Sequence, residues 1–285
     1  MFKMSLEAFT NEPNFPFFIQ YGEHQEPLFL HGHDAYSELV IVLSGKAIHI
    51  VDGERFPIEK GDVFIIGADT EHGYDDPQDF HICNIMFRES FLNLAEFDIA
   101  EEAGFHALFV LEPQYSRETH FTSHLKLNAS DFHNVSEILE QLYTEYYQHS
   151  AGRKVMVKVN FLRLVVTLSR LYDTKKIESS TGIVKLAPAF AYIEKNYQNS
   201  LSVAELAQMV GYSQRQFIRL FKKATGNLPL EYITHLRMQY ARELLKNSEL
   251  TITEIALQCG YTDSNYFSKL FHKKHGVAPK EFRKM

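Results

Sequence analysis

The sequence predicts a multidomain α+β protein: an N-terminal antiparallel β-barrel, helices after it, and a C-terminal all-α domain with two helix-turn-helix units. Three observations carry this. Residues 15–87 alternate short β-branched runs with turn residues, a C-terminal segment recurs roughly fifty residues on, and the charge reverses sign between the two regions. At 285 residues the chain is also long for one core. Residues 183–285 carry 15 Lys and Arg against 8 Asp and Glu, whereas residues 1–182 carry 14 against 28. Only the C-terminal region is suited to a polyanion.

Glu38-Leu-Val-Ile-Val-Leu43 is a β-branched run ended by Ser44-Gly45, and Lys46 to Val51 follows. Asp52-Gly53 is a two-residue hairpin signal. Phe56 to Ile58, the turn Lys60-Gly61-Asp62 and Val63 to Ile66 continue a rhythm that suits a small barrel or sandwich. From Asp131 to His149, Val135, Ile138, Leu139, Leu142 and Tyr146 recur at helical spacing. Lys154 to Tyr172 is a second helix, apolar over most of its circumference, and Asp173 to Gly182 is polar without period, a linker. The expected boundaries are 1–130 for the barrel, 131–173 for the helical pair, 174–182 for the linker and 183–285 for the second domain. No apolar run reaches the ~18–20 residues of a membrane span, and the N-terminus does not read as an export signal. Cys83 and Cys259 fall in different halves, so no disulfide framework and a cytoplasmic location are expected.

Beyond the linker, Leu201 to Ile233 and Leu250 to Arg283 are related segments. Each opens on a capping-box pattern, Ser202/Glu205 and Thr251/Glu254. Leu206 and Ala207, or Ile255 and Ala256, begin a short helix with a small residue at a close crossing. Gly211 and Gly260 suit the positive φ of a tight turn. The next helix packs Phe217, Leu220 and Phe221, or Phe267, Leu270 and Phe271, inward. Helix, glycine turn, helix is the arrangement that places a second helix in a major groove.

The same period assigns the outward residues. With Ser213 as N-cap these are Gln214, Arg215, Ile218, Arg219 and Lys222; with Asp263 they are Ser264, Asn265, Ser268, Lys269 and His272. Arg suits guanine, Asn suits adenine, and Lys or Ser can meet bases or phosphates. Lys222, Lys223, Lys273 and Lys274 lie near the helix ends, where phosphate contact is expected. A single basic helix face is more often merely solvated; two copies with the same cap, turn and inward aromatic favour double-stranded DNA.

These residues carry a family likeness over about 185–284. Arg237-Met-Gln-Tyr-Ala-Arg-Glu-Leu-Leu245, Gly260-Tyr-Thr-Asp-Ser-Asn-Tyr-Phe267 and Gly276-Val-Ala-Pro-Lys-Glu-Phe-Arg283 resemble the AraC/XylS transcription regulators. The resemblance implies two helix-turn-helix units joined by a long helix, reading successive major grooves on one DNA face. It also implies RNA polymerase as a partner. Ile218 departs from the family, which often has a polar base-reading residue there; it suits a thymine methyl instead.

A second constellation lies in the barrel region. His31 and His33 are two apart, so on a strand they share a face. With Glu38 and His72 they could form a site of two or three imidazoles and one carboxylate, suited to Zn, Fe or Mn. The spacing of His31-Gly-His33, Glu38 and Gly45 resembles the first motif of cupins, small β-barrels. The second motif is partly present in Gly61 to His72, without the usual proline. Three readings stay open: a catalytic metal, a hydrogen-bonded cluster that only holds the barrel mouth, and a polar ligand pocket. The pocket is preferred, with no cofactor required, because barrel mouths hold small molecules and nothing else in the chain supplies a reaction.

Residues 31–87 further resemble the sensor domains of L-rhamnose-responsive AraC-family regulators. Glu38 to Gly45, Ile48-His-Ile50, Gly61 to Tyr74 and Asn84-Ile-Met-Phe87 carry that likeness. It implies an uncharged sugar effector, an activator, and His31, His33, Tyr36, Glu38, His72, Tyr74 and Asn84 as effector-binding candidates. The likeness also implies a homodimer through Lys154 to Tyr172. Val155, Val159, Leu162 and Val166 form one stripe of that helix, and Phe161, Val165, Leu168 and Tyr172 another, so it needs two apolar partners.

Overall fold

Two units, Met1–Ala187 and Pro188–Met285, divide the computed structural model, which describes residues 2–10, 12, 14–68, 70–92, 98–112, 125–148, 150–172 and 182–284. The expected linker lies outside the described residues except for Gly182. Among the described residues no helix is long and apolar enough to cross a membrane.

The first unit is an eight-stranded sheet. Its strands are β1 (Lys3–Ser5), β2 (Phe17–His24), β3 (Leu28–Asp34), β4 (Ser37–Val51), β5 (Glu54–Glu59), β6 (Asp62–Ile66), β7 (His72–Phe87) and β8 (Leu125–Lys126). All pairings are antiparallel except β1 with β3. The described path from β1 to β8 does not close on itself, so the expected barrel is an open sheet.

Its spine is the long pair β4–β7. The first part of β4 also pairs with β6 and the last part with β5, while the two ends of β7 take β3 and β2. Between these parts the register slips three times, from Val42 to Ile48. The expected turn at Ser44-Gly45 is instead a bulged crossing inside one continuous strand. Gly45 has φ +69°, and a Cβ there would overlap the carbonyl oxygens of Gln78 and Asp79. A bulge adds an unpaired residue and bends the strand, so this glycine turns one ribbon into two facing halves. The Asp52-Gly53 hairpin forms as expected, with φ of +47° and +88°.

Val40, Val42, Ala47, Ile58, Phe64, Ile66, Phe80 and Ile82 fill the space between the halves. The other face buries Ile19, Leu39, Ile65 and Ile85, which lie in register across four strands. Helices α1 (Ala129–Tyr147) and α2 (Arg153–Leu171) follow. Phe161 of α2 stands 5.1 Å from the Phe17 ring and 5.0 Å from Phe87. The stripe Phe161, Val165, Leu168, Tyr172 is buried, whereas Val155 is 65% and Val159 50% exposed and Leu162 and Val166 are half-buried.

The second unit is all helical: α3 (Ala187–Asn196), α4 (Val203–Met209), α5 (Gln214–Thr225), α6 (Pro229–Asn247), α7 (Ile252–Gln258), α8 (Ser264–His275) and α9 (Pro279–Phe282). Phe217, Phe221, Phe267 and Phe271 are fully buried, as the period required, and Leu270 is half-buried. Gly211 and Gly260 take φ of +65° and +80°. The capping box forms at Thr251/Glu254. At Ser202 it does not: the hydroxyl accepts from the Ala204 amide at 3.2 Å, leaving Glu205 without the reciprocal bond expected of it.

Gly45→Ala should destabilise the first unit by about 1–3 kcal/mol or more, from positive-φ strain plus backbone overlap. Urea unfolding followed by tyrosine fluorescence and circular dichroism checks this; an unchanged midpoint would contradict the bulge assignment.

Candidate nucleic-acid interface and candidate ligand site

Helices α5 and α8 each begin on a side chain that satisfies free amides. Ser213 accepts from Gln216 at 3.3 Å, and Asp263 accepts from Asn265 and Tyr266 at 2.8 and 3.2 Å. With the aromatic residues turned inward, Gln214, Arg215, Arg219, Lys222 and Lys223 are exposed on α5, and Ile218 is half-buried. On α8, Asn265, Lys269, His272, Lys273 and Lys274 are exposed. Ser264 and Ser268 are half-buried, and the Ser268 hydroxyl donates to the Ser264 carbonyl at 2.8 Å. Tyr266, 57% exposed on the flank of α8, is a surface aromatic that sequence reasoning passed over. Its neighbour Phe267 drew the inward assignment, and only exposure separates the two.

In the first unit, His31 and His33 of β3, Glu38 of β4 and His72 of β7 meet, none more than 5% exposed. Their ligand-capable atoms all lie within 4.8 Å of one another. Glu38 Oε2 stands 3.1 Å from His33 Nε2 and 3.4 Å from His72 Nε2, and the two nitrogens are 3.1 Å apart. The His31 Nδ1 lies 3.1 Å from the Phe29 carbonyl, so its N–H is held there and Nε2 keeps a lone pair. Burial works to raise the Glu38 carboxyl, but the His33 and His72 imidazoles beside it outweigh burial and hold it below the usual carboxylate range. Burial pushes the His72 imidazole down to about 4 and lowers His31 as well, so both are neutral near pH 7. Three imidazoles and a carboxylate whose ligand-capable atoms lie this close are a donor set that fits a first-row divalent ion.

Tyr36 stacks on His33 at 4.5 Å, and Tyr74 lies 6.0 Å from His72. The Tyr36 and Tyr74 hydroxyls and the Asn84 carbonyl oxygen are buried without a hydrogen-bond partner. Asn84 sits opposite Val40, one pleat along from Glu38. Sequence reasoning missed His49, which stacks on Phe64 at 4.6 Å and lies 5.6 Å from His72. Its signal is the alternation Ala47, His49, Val51, all buried on one side of β4.

Open space lies elsewhere in the unit. A cleft of about 640 Å³ is lined by Lys46 to Ile48, Pro57 to Glu59, Asp62, Asp76, Gln78 and Lys126. The Lys126 amine binds Glu59 at 2.9 Å, Asp62 at 3.1 Å and the Lys60 carbonyl at 2.9 Å. Burial would lower its pKa, but those carboxylates outweigh burial and raise it. The cleft thus neutralises the charge of Lys126 with its own carboxylates. No local pattern marks these residues, because Lys126 reaches β6 through a strand of two residues.

A β-sheet unit and an all-helical unit with two capped, outward-basic helices, in one chain, define a DNA-binding transcription regulator. Comparison with known proteins bears this out. A cupin domain profile matches residues 17–85, and a helix-turn-helix domain profile matches residues 206–285. The HTH-type transcriptional activator RhaS of Escherichia fergusonii is 31% identical over 89% of this chain and 86% of its own. RhaS of Shigella boydii is 28% identical over the same shares. A solved AraC-type regulator from Chromobacterium violaceum is 36% identical, covering 35% of this chain and 89% of its own, at a TM-score of 0.34. The chain belongs to the AraC family of transcription regulators, in the group similar to RhaS.

Proposed function

We propose that this protein is a dimeric, effector-controlled activator that acts in the cytoplasm and reads two successive major grooves with α5 and α8. The observation that supports it is the duplicated, exposed set on two capped helices: Gln214, Arg215 and Arg219 on one, Asn265 and Lys269 on the other. These reach base edges, with Ile218, Ser264 and Ser268 beside them. Lys222, Lys223, Lys273 and Lys274 hold phosphate. Activation, and with it contact to RNA polymerase, follows the relatives' description as transcriptional activators.

The effector is an uncharged sugar, L-rhamnose first among them by the likeness to RhaS. Between this cleft and the His31, His33, Glu38, His72 cluster, the cleft has room for a pyranose. It joins carboxylates and the Gln78 amide, for hydroxyls, to the apolar Ala47, Ile48 and Pro57. The His31, His33, Glu38, His72 cluster is closed, and its donor set supports a bound divalent ion that ties β3, β4 and β7 together. Tyr36, Tyr74 and Asn84 surround it rather than face an open pocket. Ligand control needs the sugar to favour one arrangement of the protein over another.

Dimerisation uses the exposed stripe of α2, since its opposite stripe is already buried on the sheet.

Four measurements test these assignments. Arg215→Ala and Arg219→Ala should each cost about 1–3 kcal/mol in DNA affinity with relaxed preference at one base. Lys274→Ala should weaken all sequences alike and reduce the salt slope by about one; a changed base preference there would reverse the sorting of contacts. Calorimetry with deoxyhexoses and pentoses should show one binding sugar, lost in Gln78→Ala and kept in His33→Ala, while a divalent ion raises the melting temperature of wild type but not of His33→Ala. Absence of heat with every sugar removes the sensing assignment. Val159→Asp should sediment as a monomer at concentrations where wild type is a dimer, and a wild-type monomer defeats the dimer.

A further inference from the structure

A reader of two grooves needs its two helices held at one separation and one rotation, because successive sites on a duplex face repeat every ~10.5 base pairs. Connecting helix α6 carries Arg237, a residue with no role in the DNA contacts assigned above. Its half-buried guanidinium donates to three main-chain carbonyls. Nε reaches Tyr197 at 2.6 Å and Nη2 reaches Asn199 at 2.7 Å, both in the segment between α3 and α4. Nη1 reaches Gly260 at 3.2 Å, in the turn between α7 and α8. The same guanidinium lies 5.2 Å from the Tyr261 ring. Gly260 meets that same α3–α4 segment from the other side. A Cβ there would overlap the Gln198 carbonyl oxygen, which is backbone and cannot swing away, and would come within 3.1 Å of Arg237 Cζ.

We infer that Arg237 and Gly260 form a clamp that sets the relative position of α5 and α8, and so the spacing between half-sites that the protein accepts. Arg237 is a positioning residue: its planar fork spans the segment that leads into the first motif and the turn of the second, which a point-charge lysine cannot do in the same way. Gly260 serves the turn through its positive φ and the clamp through its missing side chain. The inference rests on the two-groove reading. It goes beyond that reading by naming what makes the two contacts one rigid unit, so that the second forms at high effective concentration.

The experiment uses full-length protein and operator DNA that wild type selects from a randomised pool. The DNA is then remade with one or two base pairs inserted or removed between the half-sites. One base pair rotates a half-site by roughly 34°, so wild type should lose about tenfold or more in affinity per step. Arg237→Ala and Gly260→Ala should bind the original operator about tenfold less well yet vary by less than about threefold across the spacing series. Arg237→Lys should fall between. Binding to a single half-site should change little in any variant that folds by circular dichroism. If wild type is strict and the folded variants are equally strict, the clamp is overturned and the two-groove reading stands. If wild type is indifferent to spacing, both fall. Should all three variants fail to fold, the residues are structural and the inference is wrong.

Discussion

The curl of the β4–β7 ribbon is the constraint on which the first unit depends. Glu38 pairs with Met86 at one end of this ribbon and His72 pairs with Val51 at the other. On a flat ribbon those ends would lie on the order of 40 Å apart. In the folded unit the two side chains stand 3.4 Å apart. The register slips around Gly45, where Gln78 and Asp79 leave no space for a Cβ, supply the bend. The buried core between the halves and the polar cluster at their meeting point are both consequences of that fold-over.

The cluster is the costly part of this arrangement. Three imidazoles and a carboxylate lie in a nearly water-free space, where an unpaired polar group costs several times what a surface one does. Glu38 answers part of that cost by standing close to the His33 and His72 imidazoles, and Phe29 takes the His31 proton. The Tyr36 and Tyr74 hydroxyls next to them are left without partners.

In the helical unit the same economy of glycine and caps appears at a smaller scale. Ser213 and Asp263 start α5 and α8, and Gly226 and Gly276 end them at φ of +72° and +77°. Four buried phenylalanines orient both helices, which leaves the cations outside by geometry alone. Charge then separates the roles of the two units: the basic one carries the exposed Arg and Lys rows, and the acidic one carries the sheet and its polar sites.

Local pattern by itself determined much of this protein. The 3.6-residue period decided which faces of α5 and α8 are buried, and turn chemistry placed Gly211, Gly260 and Asp52-Gly53, because both depend on neighbours a few residues away. The strand spacing of His31 and His33 put them on one face for the same reason. Other features were settled only by tertiary structure, since they join segments far apart in sequence. Gly45 read as the end of a strand and became a bulge, because Gln78 and Asp79 run directly against it. The first motif's expected capping box became a simple Ser202 cap. The Glu59, Asp62, Lys126 cleft and the three carbonyls around Arg237 have no local signature, for each is made by main chain or side chains that meet only after the sheet has folded over or the helices have packed.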